Sequence, residues 1–122
     1  MLARISKKEF LWITSTGLFI FLNFIFIWFF WQRVISLTML LIVLAVLEMI
    51  VIGSKKLVAV FILAAIGAAI FESISIHLGI WSYNAPTFYN IPIWLIPGWG
   101  NAAIIIITFY KLMDKLKWLN KD

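Results

Sequence analysis

The chain has 122 residues, of which 65% are hydrophobic and 12% charged, against roughly 45–50% and 25% in globular domains. That composition excludes a soluble domain. With no cysteine and a single histidine, disulfides, thiol chemistry and a multi-histidine metal or haem centre within one chain are excluded as well, and no glycine-rich phosphate loop is present, so no cofactor or metal is expected. The net charge of +5 fits a membrane surface better than nucleic acid, because the basic residues collect where apolar runs end.

Four apolar blocks, residues 10–31, 34–53, 57–80 and 93–112, each reach the roughly 20 residues needed to cross a hydrocarbon core. They predict an all-α fold, a four-transmembrane-helix up-down bundle forming one integral membrane domain over residues 1–122. The first block follows Arg4, Lys7 and Lys8. It is longer than a signal-peptide core and ends in Trp28-Phe29-Phe30-Trp31 without a small-residue cleavage site, so it is read as a retained span. Its strongly polar residue is Asn23.

The links Gln32-Arg33 and Ser54-Lys55-Lys56 are so short that consecutive helices should be antiparallel neighbours. Glu48, in the second block, lies about 10 Å of helix from the nearer boundary. Its expected partner is Lys55 or Lys111; otherwise it is a functional group. Glu72, in the third block, lies about 12 Å from that block's end, with no basic residue at its depth. Ala64, Ala65, Ala68, Ala69, Ser75 and Gly79 fall within about 80° of it on a helical wheel, a small-residue packing face that should turn Glu72 into the bundle. Asn23 and Asn101 are its expected partners, with Thr108 on the face of Asn101. A buried carboxyl in neutral form is a candidate proton donor. His77 follows five residues later on a different face, one turn from the interface. It is a second candidate catalytic group, with a headgroup contact as the structural alternative.

The loop at residues 81–91 is uncharged and carries Trp81, Tyr83, Pro86 and Tyr89. Pro86, Pro92 and Pro97 should keep residues 85–91 non-helical, with Pro92 at the first turn of the fourth helix and Pro97 either kinking that helix or marking its true start. Trp28, Trp31, Trp81, Tyr83, Tyr89, Trp94 and Trp99 form an aromatic belt at this side. Of these, Trp81, Tyr83, Trp94 and Trp99, together with Asn23 and Asn101, are candidate ligand-binding residues. Of the ten basic residues, only Arg33 falls on the loop side, so both termini are expected to be cytoplasmic in a cell-membrane, multi-pass protein. Residues 111–119 place Leu112, Leu116 and Leu119 on one face, an amphipathic cytoplasmic C-terminal extension that either lies on anionic lipid or is solvated.

The order of an in-membrane acid (Glu72), His77-x-Gly79, Trp81-x-Tyr83 and a Pro- and Trp-containing start to the next span (Pro92, Trp94, Pro97, Trp99) resembles, over residues 71–101 only, membrane proteins of carotenoid biosynthesis: the small lycopene cyclase domain and the carotenoid hydratase family. The resemblance implies an apolar isoprenoid or carotenoid-like lipid as ligand and protonation of a double bond by a membrane acid, with Glu72 in that role. Lycopene cyclase domains carry a Glu-Glu pair after the loop, where this chain reads Pro97-Gly98-Trp99-Gly100, so the pattern is closer to the hydratases. The rival readings are a non-catalytic membrane subunit and a small dimeric proton-coupled transporter. Membrane lipid is the expected partner, and a long substrate in so small a bundle would need an interface between chains of a homo- or hetero-oligomer. Small multidrug transporters share the length and topology but place their glutamate in the first span, where this chain has none.

Overall fold

A computed structural model describes residues 6–84, 86–87 and 90–115. It is all-helical: α1 (Lys7–Phe30), α2 (Val34–Ile52), α3 (Lys56–His77) and α4 (Leu95–Lys115). All four are long and apolar enough to cross a membrane. Most large side chains point outward, among them Phe24, Trp28, Ile35, Leu63 and Phe71, as expected where the solvent is lipid rather than water.

Local chemistry sets the helix ends. Ser6 and Glu9 form a capping box, the Glu9 N–H donating to Ser6 Oγ and the Ser6 N–H to Glu9 Oε2, both at 3.1 Å, which satisfies two donors that the first turn cannot pair. Gly53 stops α2 at φ 70°, and Gly79 follows α3 at φ 78°. At the latter the Ile80 N–H reaches Ser75 O and the Gly79 N–H reaches Ile76 O, the paired closure that a left-handed residue permits at a helix end. Gly79 turns the chain back on itself there, and this reversal positions the candidate site.

The fourth helix begins at Leu95, so Pro92 is not its first residue. Pro92 to Trp94 form a turned lead-in, with the Leu95 N–H on Pro92 O and the Gly98 N–H on Trp94 O. Pro97 occupies the first turn, where its missing N–H leaves no gap. The described residues of the loop are non-helical, and Ala85, Phe88 and Tyr89 lie outside the description. Asn90 takes φ 66°, the Thr87 N–H bonds Ile91 O, and the Ile93 N–H bonds Thr87 Oγ1, so the loop closes on itself ahead of α4.

Helix α4 is the hub, packing on α1, α2 and most extensively α3. Helices α1 and α2 also pack on each other, whereas α2 and α3 share at most a marginal contact despite their short link. The core of Phe19, Leu37, Leu41, Leu44, Ala45, Ile52, Leu57 and Ile104 therefore lies mainly among α1, α2 and α4, with α3 docked on the far side of α4. Gly100 makes that docking close, since a Cβ there would overlap the Phe61 ring of α3. At one end of the bundle Trp12 of α1 receives two lysines, Lys115 Nζ at 4.3 Å and Lys8 Nζ at 5.6 Å from its ring centroid. Residues 116–122, which carry Leu116 and Leu119 of the expected amphipathic extension, lie outside the described residues.

Candidate functional site

Glu72 is buried, with 5% of its surface exposed. Two donors meet it on one oxygen: Trp81 Nε1–H and the Tyr83 hydroxyl each donate to Oε2 at 2.8 Å. Both come from the chain immediately after Gly79, which folds back along the last turns of α3. Trp81 also packs near Phe71, ring centroids 6.4 Å apart. Thus the partners of Glu72 are the loop aromatics; Asn23 and Asn101, the partners expected from depth alone, are engaged elsewhere.

Tyr83 connects the acid to a recess. The residue also lines a cleft of about 200 Å³ with Trp31, Asn84, Pro92 and Trp94, beside the Glu72 cluster. Burial first, then the hydrogen bond to Glu72 and the charge of its carboxylate, push the Tyr83 phenol up to about 12. It remains a hydroxyl donor throughout the physiological range.

Asn23 and Asn101 form a second polar node. Asn101 Nδ2 donates to Asn23 Oδ1 at 2.8 Å and to Leu41 O at 3.0 Å, and Asn23 Nδ2 donates to Phe19 O at 2.7 Å. One side chain of α4 thereby ties α1 and α2 together in the interior. Glu48 likewise takes neither expected lysine: among the described residues no ion pair forms, and Thr16 Oγ1 donates to Glu48 Oε1 at 3.2 Å. The reason is geometric. Lys55 lies beyond the Gly53 turn that ends α2, whereas Thr16 faces Glu48 across the α1/α2 contact.

Of the expected site residues, the structure joins Glu72, Trp81 and Tyr83, and brings Trp94 to the cleft that Tyr83 shares. Asn23 and Asn101 meet each other in a separate node. His77 is exposed at the end of α3 and Trp99 faces outward from the first turn of α4; neither joins the Glu72 cluster. Trp31, Asn84 and Pro92 were not singled out as ligand-binding residues. Trp31 read only as part of an aromatic belt, and nothing in sequence spacing links it to Trp94. Among the described residues no group of three His, Cys, Asp or Glu side chains could hold a metal ion. Comparison with protein-family models, curated proteins and solved structures finds no match to this chain.

Proposed function

We propose that the protein is a multi-pass membrane protein that binds an apolar lipid of the isoprenoid class at the end of the bundle where its aromatic loop lies, with Glu72 as the proton-handling group. The observation that carries this reading is the Glu72–Tyr83 hydrogen bond, because it connects a buried acid to the cleft walled by Trp31 and Trp94. Two donors on Oε2 leave Oε1 as the position for a proton when the acid is neutral. Transfer of that proton to a double bond forms a C–H bond and a carbocation, which the faces of neighbouring aromatic rings stabilise. Loss of a different proton to the Glu72 carboxylate, or capture of water with return of one of its protons to that carboxylate, completes the reaction and regenerates the acid.

In this reading the helices run up and down, with both termini at the cytoplasmic face. The placing of Trp12 beside Lys115, and of Trp31 beside Pro92 and Trp94, supports alternating helix directions, and the basic residues support the orientation. A second reading, a non-catalytic membrane subunit, draws on the cleft itself, which is open and smaller than the roughly 300–1,000 Å³ of ordinary ligand pockets.

Purification in mild detergent followed by absorbance and mass spectrometry of extracted lipid separates the two. Wild-type protein should carry an unsaturated polyprenyl lipid, Trp94→Ala should lose it, and Glu72→Gln should retain it without turnover. Bulk phospholipid alone in all three preparations would favour the non-catalytic subunit.

A further inference from the structure

Seven residues separate Thr16 from Asn23 on α1, Leu41 from Glu48 on α2, and Asn101 from Thr108 on α4. Seven residues are two turns less about 20°, so each pair shares a face about 10 Å apart along its helix. The first layer is the Asn23–Asn101–Leu41 O node, and the Thr16–Glu48 hydrogen bond lies in the second. Thr108 belongs to that second layer on two independent grounds. It is as far beyond Asn101 as Glu48 is beyond Leu41. It is also midway between Asn101, which meets Asn23, and Lys115, which meets Trp12, level with the part of α1 that carries Thr16.

Thr108 is 1% exposed, and its Oγ1 has no hydrogen-bond partner. Among the described residues one other buried side-chain atom, Asn101 Oδ1, also has none, but its amide is held through Nδ2. Ser15, Thr38 and Ser75 each donate to a carbonyl of their own helix, the ordinary way for a hydroxyl in a span to be satisfied. A buried polar atom left unpaired in hydrocarbon is costly, and Glu48, 3% exposed, needs an acceptor if it carries a proton. Glu48 also lines an apolar groove between α1 and α2 with Ser15, Leu18, Leu22, Leu47 and Val51, where the one other hydroxyl, that of Ser15, donates to Trp12 O.

We propose that the Thr16–Glu48–Thr108 layer is a proton-binding site, at the end of the bundle remote from Glu72, in which Glu48 accepts from Thr16 and donates its own proton to Thr108 Oγ1. The bound proton ties α1, α2 and α4 in one chain of hydrogen bonds. Its loss leaves a carboxylate with a single donor beside a groove of leucines, so release requires α1 and α2 to part. The charged groups of the packed elements are Lys7, Lys8 and Glu9 on α1, Lys111, Asp114 and Lys115 on α4, and Arg33 and Lys55 flanking α2. None of them forms an ion pair with Glu48 among the described residues, and Lys111, one turn beyond Thr108, is the nearest along its helix.

Infrared spectroscopy of the full chain in lipid nanodiscs, with isotope-labelled glutamate, tests this directly. At neutral pH a protonated-carboxyl band should be present in Glu72→Gln, which removes any contribution from that acid, and vanish when Glu48→Gln is added. Thr108→Val should shift that band toward a weaker hydrogen bond, while Thr38→Val leaves it in place. Loss of only a carboxylate band in Glu48→Gln would overturn the proposal, as would a Lys111→Met chain in which the protonated band first appears, since either shows an ionised Glu48. A band unmoved by Thr108→Val would assign the acceptor to a water molecule and overturn it equally. The amide of Glu48→Gln reproduces the bonds of the neutral acid, so a variant that fails to fold also counts against it.

Discussion

An acid on an apolar helix is tolerated where donors reach it, and for Glu72 they arrive from the loop that its own helix leads into. Trp81→Phe or Tyr83→Phe removes one donor and should each cost about 1 kcal/mol. The double variant should cost more than their sum, because it strips Oε2 of both partners; unfolding in mixed micelles measures this. Tyr83 makes a sharper test. Its folded-state ionisation lies at about 12 against an ordinary 10.0, so its neutral form is favoured by folding. Its contribution to stability is complete below pH 10 and is lost as pH rises toward about 12. Ultraviolet titration should show one tyrosine ionising late, and Glu72→Gln should move it down but not fully back, since burial, the largest cause, remains.

At the scale of elements, α4 decides the architecture. It touches every other helix and carries both the residue that admits α3 and the residue that binds α1 and α2. Gly100→Ala places a methyl group against the Phe61 ring and should destabilise the chain by about 1–3 kcal/mol, the usual range for overpacking. Phe61→Leu in the same chain should recover part of the loss, whereas Phe61→Leu alone should not stabilise. On the neighbouring face, Asn101→Leu removes two hydrogen bonds, each worth about 0.6 kcal/mol on average within membranes. A combined cost of about 1–2 kcal/mol in a micelle unfolding assay is expected, together with looser association of α1 with α4.

For the whole molecule, the uneven packing of the four helices has a consequence for motion and accessibility. Helix α3 is held by α4 and by its own following loop, with α2 at most marginal, so the Glu72 cluster sits on a helix with one main partner, whereas the Asn and Glu48 layers lie in the three-helix core. Cysteine accessibility in intact cells checks the orientation. A cysteine at Asn84 should react with a membrane-impermeant reagent added outside, and one at Lys8 should not. Labelling at Lys8 alone would invert the topology and place the aromatic cleft at the cytoplasmic face.

Hydropathy was sufficient for the number of helices and their approximate limits, the small-residue face of α3 for the inward placement of Glu72, and proline for the non-helical loop after Gly79, because lipid as solvent demands long apolar runs with internally paired backbones and helices approach closely where side chains are small. Those are local properties, readable along the chain. The partners of the buried polar groups were not readable. Depth along the helices makes Asn101 the expected neighbour of Glu72, and proximity in sequence makes Lys55 that of Glu48. Tertiary structure decided otherwise, because rotation of each helix about its axis and the choice of α4 over α2 as the neighbour of α3 set which side chains meet. The sequence determined which groups need a partner within the membrane. Packing determined that Trp81 and Tyr83 serve Glu72, that Thr16 serves Glu48, and that Thr108 is left with an unpaired hydroxyl, since side-chain contacts depend on helix rotation and neighbour choice that a linear pattern does not encode.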